Sequence, residues 1–455
     1  MYDITMWLKA RWLVVGLLCV PFCSSAKAEW KGSANFDATA EGLYWTSGTV
    51  GPDSRNIRGI GTVKIPASLR YNRSLRLRVQ PLVQWDPDNP SKNERYYQDL
   101  QEGYLQLQSL PWTLQAGYNT QTWGDTDVFN PLDVVNARRF FDPFRSEKMG
   151  AATLLAKYEW EKVFLEALWI PEQRKTLVPG SNSRWLPRDV YKSRSFQEST
   201  TVGELILPND LTYDYQAAIE QDRALSHNFG ARAKFRFPGF DCTIAGFEGA
   251  STAPAVNIRF VSYTIDPIKP GDTTIRAHVD PGTGLTLRAI YYKTRMVGTS
   301  FVWVAGGFLI KGAAAYTKVI SRLPASLLPR DSQENVLGLE RTFSVGSGTL
   351  TALAQGTYIQ HKERMDSNSI SLSRMFDKAA MAGIRWAPTE KFTVQASFLY
   401  DLLYTGHFEH LDLGYKIADG WNAKLAGDLL GGKTGTPLGT YDRNDRLTIS
   451  LNVTK

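Results

Sequence analysis

Short segments in which apolar and polar residues alternate recur along most of the chain. Between residues 391 and 402 the apolar side chains occupy one set of alternate positions: Phe392, Val394, Ala396, Phe398, Tyr400 and Leu402. The same period runs through residues 75–85 and 446–453, and it begins again near residues 61, 231, 348 and 420. Because successive side chains of a β-strand point to opposite faces, each segment predicts a strand with one apolar and one polar face. The predicted fold class is all-β.

The apolar faces of these predicted strands suit lipid better than a protein core. The segments are about ten residues long, which is the length that a tilted strand needs to cross a bilayer. Aromatic residues make up 12% of the chain, although its mean hydropathy is only −0.27. Many apolar faces end in a tyrosine or a tryptophan: Tyr71, Trp85, Tyr158, Trp169, Tyr358 and Tyr400. A membrane barrel has this composition, since aromatic girdles border its apolar band while its lumen is polar.

The connections between the predicted strands alternate between short turns and long polar loops. Turns are predicted at residues 72–74, 111–112, 160–161, 238–239, 346–348, 388–390 and 419–420. Long loops are predicted at residues 46–60, 87–96, 123–149, 171–212, 319–332, 361–375 and 431–444. Bacterial barrels show this asymmetry, with tight turns on the periplasmic side and long loops outside. The sequence therefore predicts a transmembrane antiparallel up-and-down β-barrel in the bacterial outer membrane.

The length of the chain gives the size of this barrel. At roughly 20 residues for each strand with its connection, we expect about 18 strands, within a range of about 16–20. Such a barrel is too wide for its own side chains to fill, so it encloses an aqueous lumen. The most apolar stretch, Thr299 to Tyr316, is interrupted by Gly306-Gly307 and contains Lys311. It predicts two strands joined by a turn rather than a transmembrane helix.

Residues 1–28 have the parts of a cleaved secretory signal. An apolar core from Trp12 to Phe22 leads to the cleavage site Ala26-Lys27-Ala28. A lipoprotein signal at Cys23 is the alternative, but the bulky Phe22 stands where lipid attachment needs a small residue. Residues 29–455 then form a single barrel domain. Its only cysteine is Cys242, so no intramolecular disulfide is expected.

The predicted loop at residues 123–149 contains the most distinctive segment. Asn130 suits a helix N-cap, Pro131 the first helical position and Asp133 the first turn, so a short helix is predicted from Pro131 to about Phe140. The loop follows the fifth predicted strand, where porins fold a constriction loop into the lumen. An external cap on the rim is the alternative. We favour the inward-folded constriction loop, with the candidate residues Trp123, Gly124, Asp127, Asn130, Pro131, Asp133, Arg138 and Arg139.

This segment resembles an uncharacterised group of proteobacterial outer-membrane barrels. The resemblance is carried by WGDTDVFNPLDVVN, beginning at Trp123, and by ALWIPE at residues 167–172. The group has a WG-x-x-D-x-x-N-P-x-D motif after an early strand and a W-x-P motif that ends a later one, here Trp169 and Pro171. The motifs cover less than about a tenth of the chain. The resemblance implies a porin-like barrel of unassigned substrate and supplies no catalytic site.

Basic residues are concentrated on the polar faces beside two of the short turns. If the apolar faces meet lipid, seven basic side chains point into the lumen near its periplasmic end: Lys64, Arg70, Arg76, Arg78, Arg232, Lys234 and Arg236. Their potential would favour anionic solutes. The alternative is that they pair with lumenal carboxylates such as Glu102, Asp412 and Asp428.

Signals for an enzyme, a cofactor or a metal are weak. His407 and His410 are three residues apart, which places them on opposite faces of a strand. No G-x-S-x-G nucleophile elbow is present. The net charge of +7 is mild for a chain of this length and does not indicate nucleic-acid binding. We therefore predict no catalytic residues, no cofactor, no metal and no nucleic-acid partner.

Three functions are compatible with these observations. The first is a porin-like channel for passive or substrate-preferring passage of small polar solutes, with outer-membrane lipid around it. The second is the barrel component of an export or electron-conduit assembly, which co-purification of a periplasmic partner protein would reveal. The third is a barrel enzyme of the lipase type, which a measurement of planar-bilayer conductance separates from the first. The sequence favours the channel.

Overall fold

The computed structural model describes residues 30–455, apart from 49, 51–52, 73, 188–192, 199–200, 207–212, 260–262, 268–270, 272–273, 280–284, 323–327, 362–369, 372–375 and 434–435. The predicted signal segment, residues 1–28, lies outside the described residues.

Eighteen antiparallel strands close into one barrel, which confirms the predicted fold class and strand number. In chain order the strands are β1 (Trp30–Ala34 and Asp37–Trp45), β2 (Ile57–Lys64 and Ala67–Tyr71), β3 (Leu75–Trp85), β4 (Tyr96–Ser109), β5 (Trp112–Asn119), β6 (Ala151–Trp160), β7 (Val163–Glu172), β8 (Ser226–Phe237), β9 (Phe240–Ala250), β10 (Lys293–Ala305), β11 (Phe308–Ile320), β12 (Ser332–Val345), β13 (Gly348–His361), β14 (Lys378–Ala387), β15 (Phe392–Asp401), β16 (His407–Ala418), β17 (Trp421–Gly431) and β18 (Arg446–Thr454). The barrel closes because β1 pairs with both β2 and β18, so that Asp37 lies opposite Lys64 on one side and Thr454 on the other.

The first strands are bent at prolines. Pro66 separates the two halves of β2, and the register between β3 and β4 shifts at Gln80/Pro81. A proline has no N–H to donate to the ladder, so it is found at such irregular positions. The carbonyls of both prolines still accept hydrogen bonds, from the N–H of Asn35 at 2.9 Å and of Ile65 at 3.1 Å. The sheet therefore bends without losing its continuity.

The predicted alternation of short and long connections is confirmed. Short turns join β2 to β3, β4 to β5, β6 to β7, β8 to β9, β10 to β11, β12 to β13, β14 to β15 and β16 to β17. The turn between β10 and β11 is formed by Gly306 and Gly307, at φ 56° and 81°, a conformation that only glycine adopts without strain. The predicted division of Thr299 to Tyr316 into two strands is therefore also confirmed.

The longer connections meet at the opposite end of the barrel, with the exception of a tight β15–β16 connection there. One long connection, residues 251–292, is missing from the sequence prediction because it contains apolar alternation of its own. Its described residues and those of 173–225 form small sheets that are separate from the barrel sheet. Their strands are Ser193–Glu198, Thr201–Ile206, Tyr213–Tyr215, Ile219–Glu220, Ala255–Arg259, Tyr263–Ile265, Thr274–Val279, Leu285–Tyr291 and, from the β13–β14 connection, Ile370–Ser371. The 3-10 helices within the described residues are Lys92–Glu94, Pro143–Arg145 and Gly439–Tyr441.

The outer surface of the barrel carries an apolar belt. Val297, Leu337 and Ile449 point outward near the middle of their strands and are 58–62% exposed, whereas the inward-facing Met296 and Ser300 are buried. Exposed aromatic side chains border the belt at the loop end (Tyr44, Trp85, Tyr96, Phe229, Tyr316 and Tyr358) and at the turn end (Trp112, Trp160, Phe237, Trp303, Tyr415 and Trp421). Contact with water would cost roughly 25 cal/mol for each Å² of this surface, so the belt lies in lipid. Within the described residues no helix has the length and hydropathy to cross a membrane.

The position of the belt predicts that a charged substitution destabilises the barrel more near the middle of the bilayer than near its edge. Leu337→Arg places a cation near the middle of the bilayer, and we expect the free energy of unfolding in lipid vesicles to fall by about 2–4 kcal/mol. The control is Val345→Arg, on the same outward face at the turn end of β12, where the expected loss is about 0–1 kcal/mol. The chain itself has Arg341 near that end, with its guanidinium 4.5 Å from the ring centre of Phe308. Equal losses in a urea titration of the two variants would contradict the assigned position of the belt.

Candidate functional site: a divided lumen

The connection between β5 and β6, residues 120–150, lies against lumen-facing side chains of strands on both sides of the barrel. We call this connection the partition. The predicted helix from Pro131 to Phe140 is wrong: the segment forms turns, and Arg138–Arg139 pairs with Glu147–Lys148 as a short antiparallel ladder. The reason lies in Asn136, whose side chain binds three backbone groups outside any helix. Its Oδ1 accepts from the N–H of Gln121 at 2.6 Å, and its Nδ2 donates to the carbonyls of Asn119 and Met149. Asparagine competes with helix formation in this way.

The spacing of the WG-x-x-D-x-x-N-P-x-D motif has a local explanation. The side chain of Asn130 folds back and donates to the carbonyl of Trp123 at 2.8 Å, while its Oδ1 accepts from the N–H of Leu132. Gly124 lies inside this loop at φ 83°, and a Cβ there would come within 2.1 Å of Asn130 Oδ1. Gly124 and Asn130 are therefore required together, whereas residue 123 contributes only its backbone carbonyl to this contact. Asp133, the last residue of the motif, forms ion pairs within the partition, with Arg138 at 2.5 Å and Lys148 at 2.6 Å.

A hydrophobic core joins the partition to one side of the barrel wall. Trp123, Leu132 and Val135 of the partition are fully buried against lumen-facing residues of β6, β7 and β9–β12, among them Leu168, Ile170, Phe247 and Met296. The indole N–H of Trp123 donates to Glu166 Oε1 at 2.7 Å, and Arg232 pairs with the same carboxylate at 3.1 Å. A Cβ at Gly230 would come within 2.5 Å of the Trp123 ring, so β8 needs glycine where the ring crosses it.

Polar contacts fasten the partition to the strands beyond this core. Asp125 binds Lys234 of β8 at 3.0 Å and accepts from Ser300 of β10 at 2.8 Å. Asp127 binds Lys311 of β11 at 2.9 Å. The side chain of Gln355 in β13 bonds twice to the backbone of the partition, at the N–H of Val128 and the carbonyl of Phe129.

A second group of contacts fastens the far end of the partition to the strands at the barrel seam. Arg446 of β18 is buried between Asp142 of the partition and Asp428 of β17. Arg145 adds contacts to Glu41 of β1 at 3.4 Å and to the hydroxyl of Thr448 at 3.1 Å. The partition thus has charge-assisted contacts at both ends, each worth about 1.5–3 kcal/mol where water is excluded.

The two faces of the partition line two different cavities in the loop half of the barrel. A cavity of about 140 Å³ lies against β1–β3, and we call it the polar cavity. The partition contributes to it mainly charged side chains: Arg139, Phe141, Asp142, Arg145 and Glu147. A cavity of about 630 Å³ lies on the other face, against β10–β13, β15 and β16. The same part of the partition, residues 138–147, contributes to this cavity the side chains of Arg138, Phe140, Pro143, Phe144 and Ser146. On either side of the 3-10 helix Pro143–Arg145 the backbone is extended, and there neighbouring side chains point to opposite faces, which produces most of this division.

The seven predicted lumen cations divide into paired and unpaired groups. Lys64 approaches Glu147 at 4.0 Å, Arg78 pairs with Glu102, Arg232 with Glu166 and Lys234 with both Asp125 and Asp241. No residue that the structure describes forms an ion pair with the other three, Arg70, Arg76 and Arg236. Asp412 and Asp428 instead bind cations of β16–β18, namely Lys424 and Arg446.

Several residues that contact the partition could not be identified from the sequence. Glu166, Gln355 and Arg446 are ordinary lumen-facing positions by their period, and only the folded barrel brings them to the partition. One signal is visible in retrospect: the inward face of β7 is apolar at Phe164, Leu168 and Ile170. A lumen wall has no reason to be apolar unless another part of the chain covers it.

His407 and His410 lie in different surroundings. His410 Nδ1 lies 2.5 Å from Asp428 in the lumen, while His407 Nε2 lies 4.0 Å from Glu409. Within the described part of the chain, no three His, Cys, Asp or Glu side chains are arranged to hold a metal ion.

Above the polar cavity, Glu94 joins two long loops. Its Oε1 accepts from the N–H of Gly180 and its Oε2 from the side chain of Asn89 at 3.1 Å. Glu94 is only 6% exposed. Burial disfavours the charged carboxylate, and it raises the pKa of Glu94 to about 7 despite these hydrogen bonds.

Comparison with solved structures shows the same fold in outer-membrane channels. OccAB1 of Acinetobacter baumannii is 9% identical over 95% of this chain and 98% of its own, with a TM-score of 0.52. OccK2 (OpdF) of Pseudomonas aeruginosa is 10% identical over 93% of this chain and 97% of its own, also with a TM-score of 0.52. Its complex with glucuronate gives 9% and 0.51. No protein-family model matches the sequence, and no curated protein matches it. The fold together with the apolar belt places the barrel in the bacterial outer membrane.

Glu94 predicts a pH-dependent contact between the two long loops. A carboxyl whose pKa is raised in the folded protein binds its proton more tightly than in the unfolded chain, so stability falls as pH rises from about 4.5 to about 7. At about 1.4 kcal/mol per pKa unit the loss is about 3 kcal/mol. Hydrogen exchange of residues 86–95 and 174–183 should therefore accelerate between pH 5 and pH 8, after correction for the intrinsic rate.

The variant Glu94→Gln should remove this pH dependence. The control is Glu147→Gln, which changes a carboxyl that lines the polar cavity but is 39% exposed. An unchanged slope in Glu94→Gln would show that another group titrates.

Proposed function

We propose that the chain forms an outer-membrane channel for small polar solutes, and that the partition is its constriction. The observation that carries the proposal is a wide barrel with charged side chains in its lumen and a connection that crosses this lumen. The polar cavity is lined by both signs of charge, including Glu41, Arg58, Arg139 and Arg446, which suits hydrated solutes. Planar-bilayer conductance of the purified protein tests the proposal, and absence of any conductance in inserted protein would refute it.

We also propose that the chain belongs to the proteobacterial group with the WG-x-x-D-x-x-N-P-x-D motif. In this chain the motif residues Trp123, Gly124 and Asn130 form one hydrogen-bonded unit that fixes the start of the partition. Trp169, of the W-x-P motif, instead lies on the outer face and stacks on Phe229 at 6.4 Å. The first motif thus shapes the connection inside the lumen, whereas Trp169 of the second motif lies at the membrane interface.

The unpaired arginines support a weak preference for anions. Arg70 and Arg76 flank the β2–β3 turn, and Arg236 precedes the β8–β9 turn. All three lie near the periplasmic end of the lumen. Their potential is not cancelled by a contacting carboxylate among the described residues, so it acts on passing ions over a Debye length of about 8–10 Å.

This preference is measurable as a reversal potential in a salt gradient. The double variant Arg76→Gln/Arg236→Gln should shift the reversal potential toward cations. The control Arg78→Gln/Glu102→Gln removes an ion pair with no net charge, and it should leave the reversal potential nearly unchanged. A cation-selective parent channel that does not respond to the first double variant would show that these charges are neutralised locally.

The constriction assignment predicts that a shortened partition conducts better. Excision of residues 130–143 with a glycine bridge should raise single-channel conductance while the barrel still inserts and remains heat-modifiable in gel electrophoresis. Because the excision removes Leu132 and Val135 from the core, a gentler variant is also needed. Asp125→Ala/Asp127→Ala releases the partition from Lys234 and Lys311, and it should increase current fluctuations. Conductance equal to the parent in both variants would contradict the assignment.

A further inference from the structure

The larger cavity differs in character from the polar cavity. It measures about 630 Å³, within the range of roughly 300–1,000 Å³ that is usual for ligand sites. Fourteen of its 31 lining residues are aromatic, aliphatic or proline, against five of 17 in the polar cavity, although it lies inside the lumen of a barrel. Six of its apolar lining residues are Phe129, Phe144, Ile359, Phe376, Leu399 and Phe408. We call it the aromatic cavity.

Aromatic rings stand on two sides of this cavity. Phe129 of the partition meets Phe376 edge-on at 6.1 Å, and Phe144 of the partition stacks on Phe408 at 4.9 Å. Between them lie Ile359 of β13 and Leu399 of β15, both buried. A flat ring placed here meets aromatic edges and faces together with aliphatic carbon, which is the geometry that aromatic ligands prefer.

The carboxylates around the aromatic cavity already have cationic or imidazole partners. Asp127 binds Lys311 at 2.9 Å, Asp133 binds Arg138 at 2.5 Å, and Asp377 lies 3.0 Å from His361. A charged ligand would have to displace one of these contacts at the cost of leaving its partner poorly solvated. The pairing therefore favours a ligand without net charge.

The aromatic cavity lies toward the loop end of the barrel. Its wall residues Tyr292, Val319, Glu334, Ile359 and Leu399 lie at or near the loop ends of β10, β11, β12, β13 and β15. Asn130, Thr317 and His361 add polar groups to the same lining. A ligand with a ring at one end and hydroxyl groups at the other matches this mixture.

We propose that the aromatic cavity binds an uncharged solute in which an aromatic ring is joined to a polar group such as a sugar. This site goes beyond the proposed channel for small polar solutes, and occupancy of the site does not depend on conduction.

The test compares two uncharged sugars that differ in the ring alone. Equilibrium dialysis of the detergent-purified full chain with 4-nitrophenyl β-glucoside and with methyl β-glucoside should show at least tenfold tighter binding of the aryl glucoside. Ile359→Asn introduces a polar group into the aromatic cavity, and it should weaken binding of the aryl glucoside at least tenfold. The matched control is Ile60→Asn, which makes the same change in the lining of the polar cavity and should leave binding unchanged.

Two binding results would overturn the proposal. Equal affinity for the two glucosides, or no affinity for either, would show that the aromatic cavity takes no aromatic ligand. Equal losses in Ile359→Asn and Ile60→Asn would place the ligand elsewhere. If Ile359→Asn does not insert, Phe376→Ala changes the same cavity outside the strands and should give the same loss. A protein that binds the aryl glucoside but carries no current would refute the channel and leave this site in place.

Discussion

A strand in lipid has no water to satisfy its backbone N–H and C=O groups, so a spanning sheet must pair its last strand with its first. Here β18 pairs with β1 from Thr454 opposite Asp37 to Arg446 opposite Trp45. The bends at Pro66 and Pro81 are tolerated because neighbouring N–H groups still reach the proline carbonyls. Closure with eighteen strands also fixes the width of the lumen, and this width creates the space that the rest of the chain fills or leaves open.

The lumen of this barrel is partly a protein interior. Trp123, Leu132 and Val135 pack on apolar wall residues, and burial of such side chains contributes about 1.5–3 kcal/mol each. The ion pairs at the ends of the partition act differently. Their desolvation offsets much of their attraction, so they hold the partition in one position more than they stabilise the barrel. The removal of one partner is costly, since it leaves a buried charge such as Arg446 poorly compensated.

Because the partition forms no α-helix and is extended on both sides of the short 3-10 helix Pro143–Arg145, it separates two chemical environments within a few residues. Arg139 and Glu147 face the polar cavity, while Phe140 and Phe144 face the aromatic cavity. A helix would have spread these side chains around its axis at 100° intervals and mixed them. The side chain of Asn136, which takes the backbone bonds at the base of the partition, is thus a small feature with a large effect on what the lumen presents to solutes.

The sequence by itself determined the barrel, its turns and its outer face, because the period of two and the turn residues act locally and lipid imposes one solution on all strands. It also singled out Trp123, Gly124 and Asn130 through the motif, although Asn130 was expected to cap a helix and instead binds the carbonyl of Trp123. It did not determine the shape of the partition. Asn130-Pro131 is a favourable helix start, but the hydrogen bonds of Asn136 to the backbone stabilise a non-helical conformation instead. Nor did it determine which lumen cations are neutralised: Arg78 and Arg76 look alike in the sequence, yet only Arg78 meets a carboxylate, Glu102 of the neighbouring strand. Those outcomes depend on the register between strands and on contacts across the lumen, which join residues as far apart as Asp142 and Arg446. Only the closed barrel brings such residues within a few ångströms of each other.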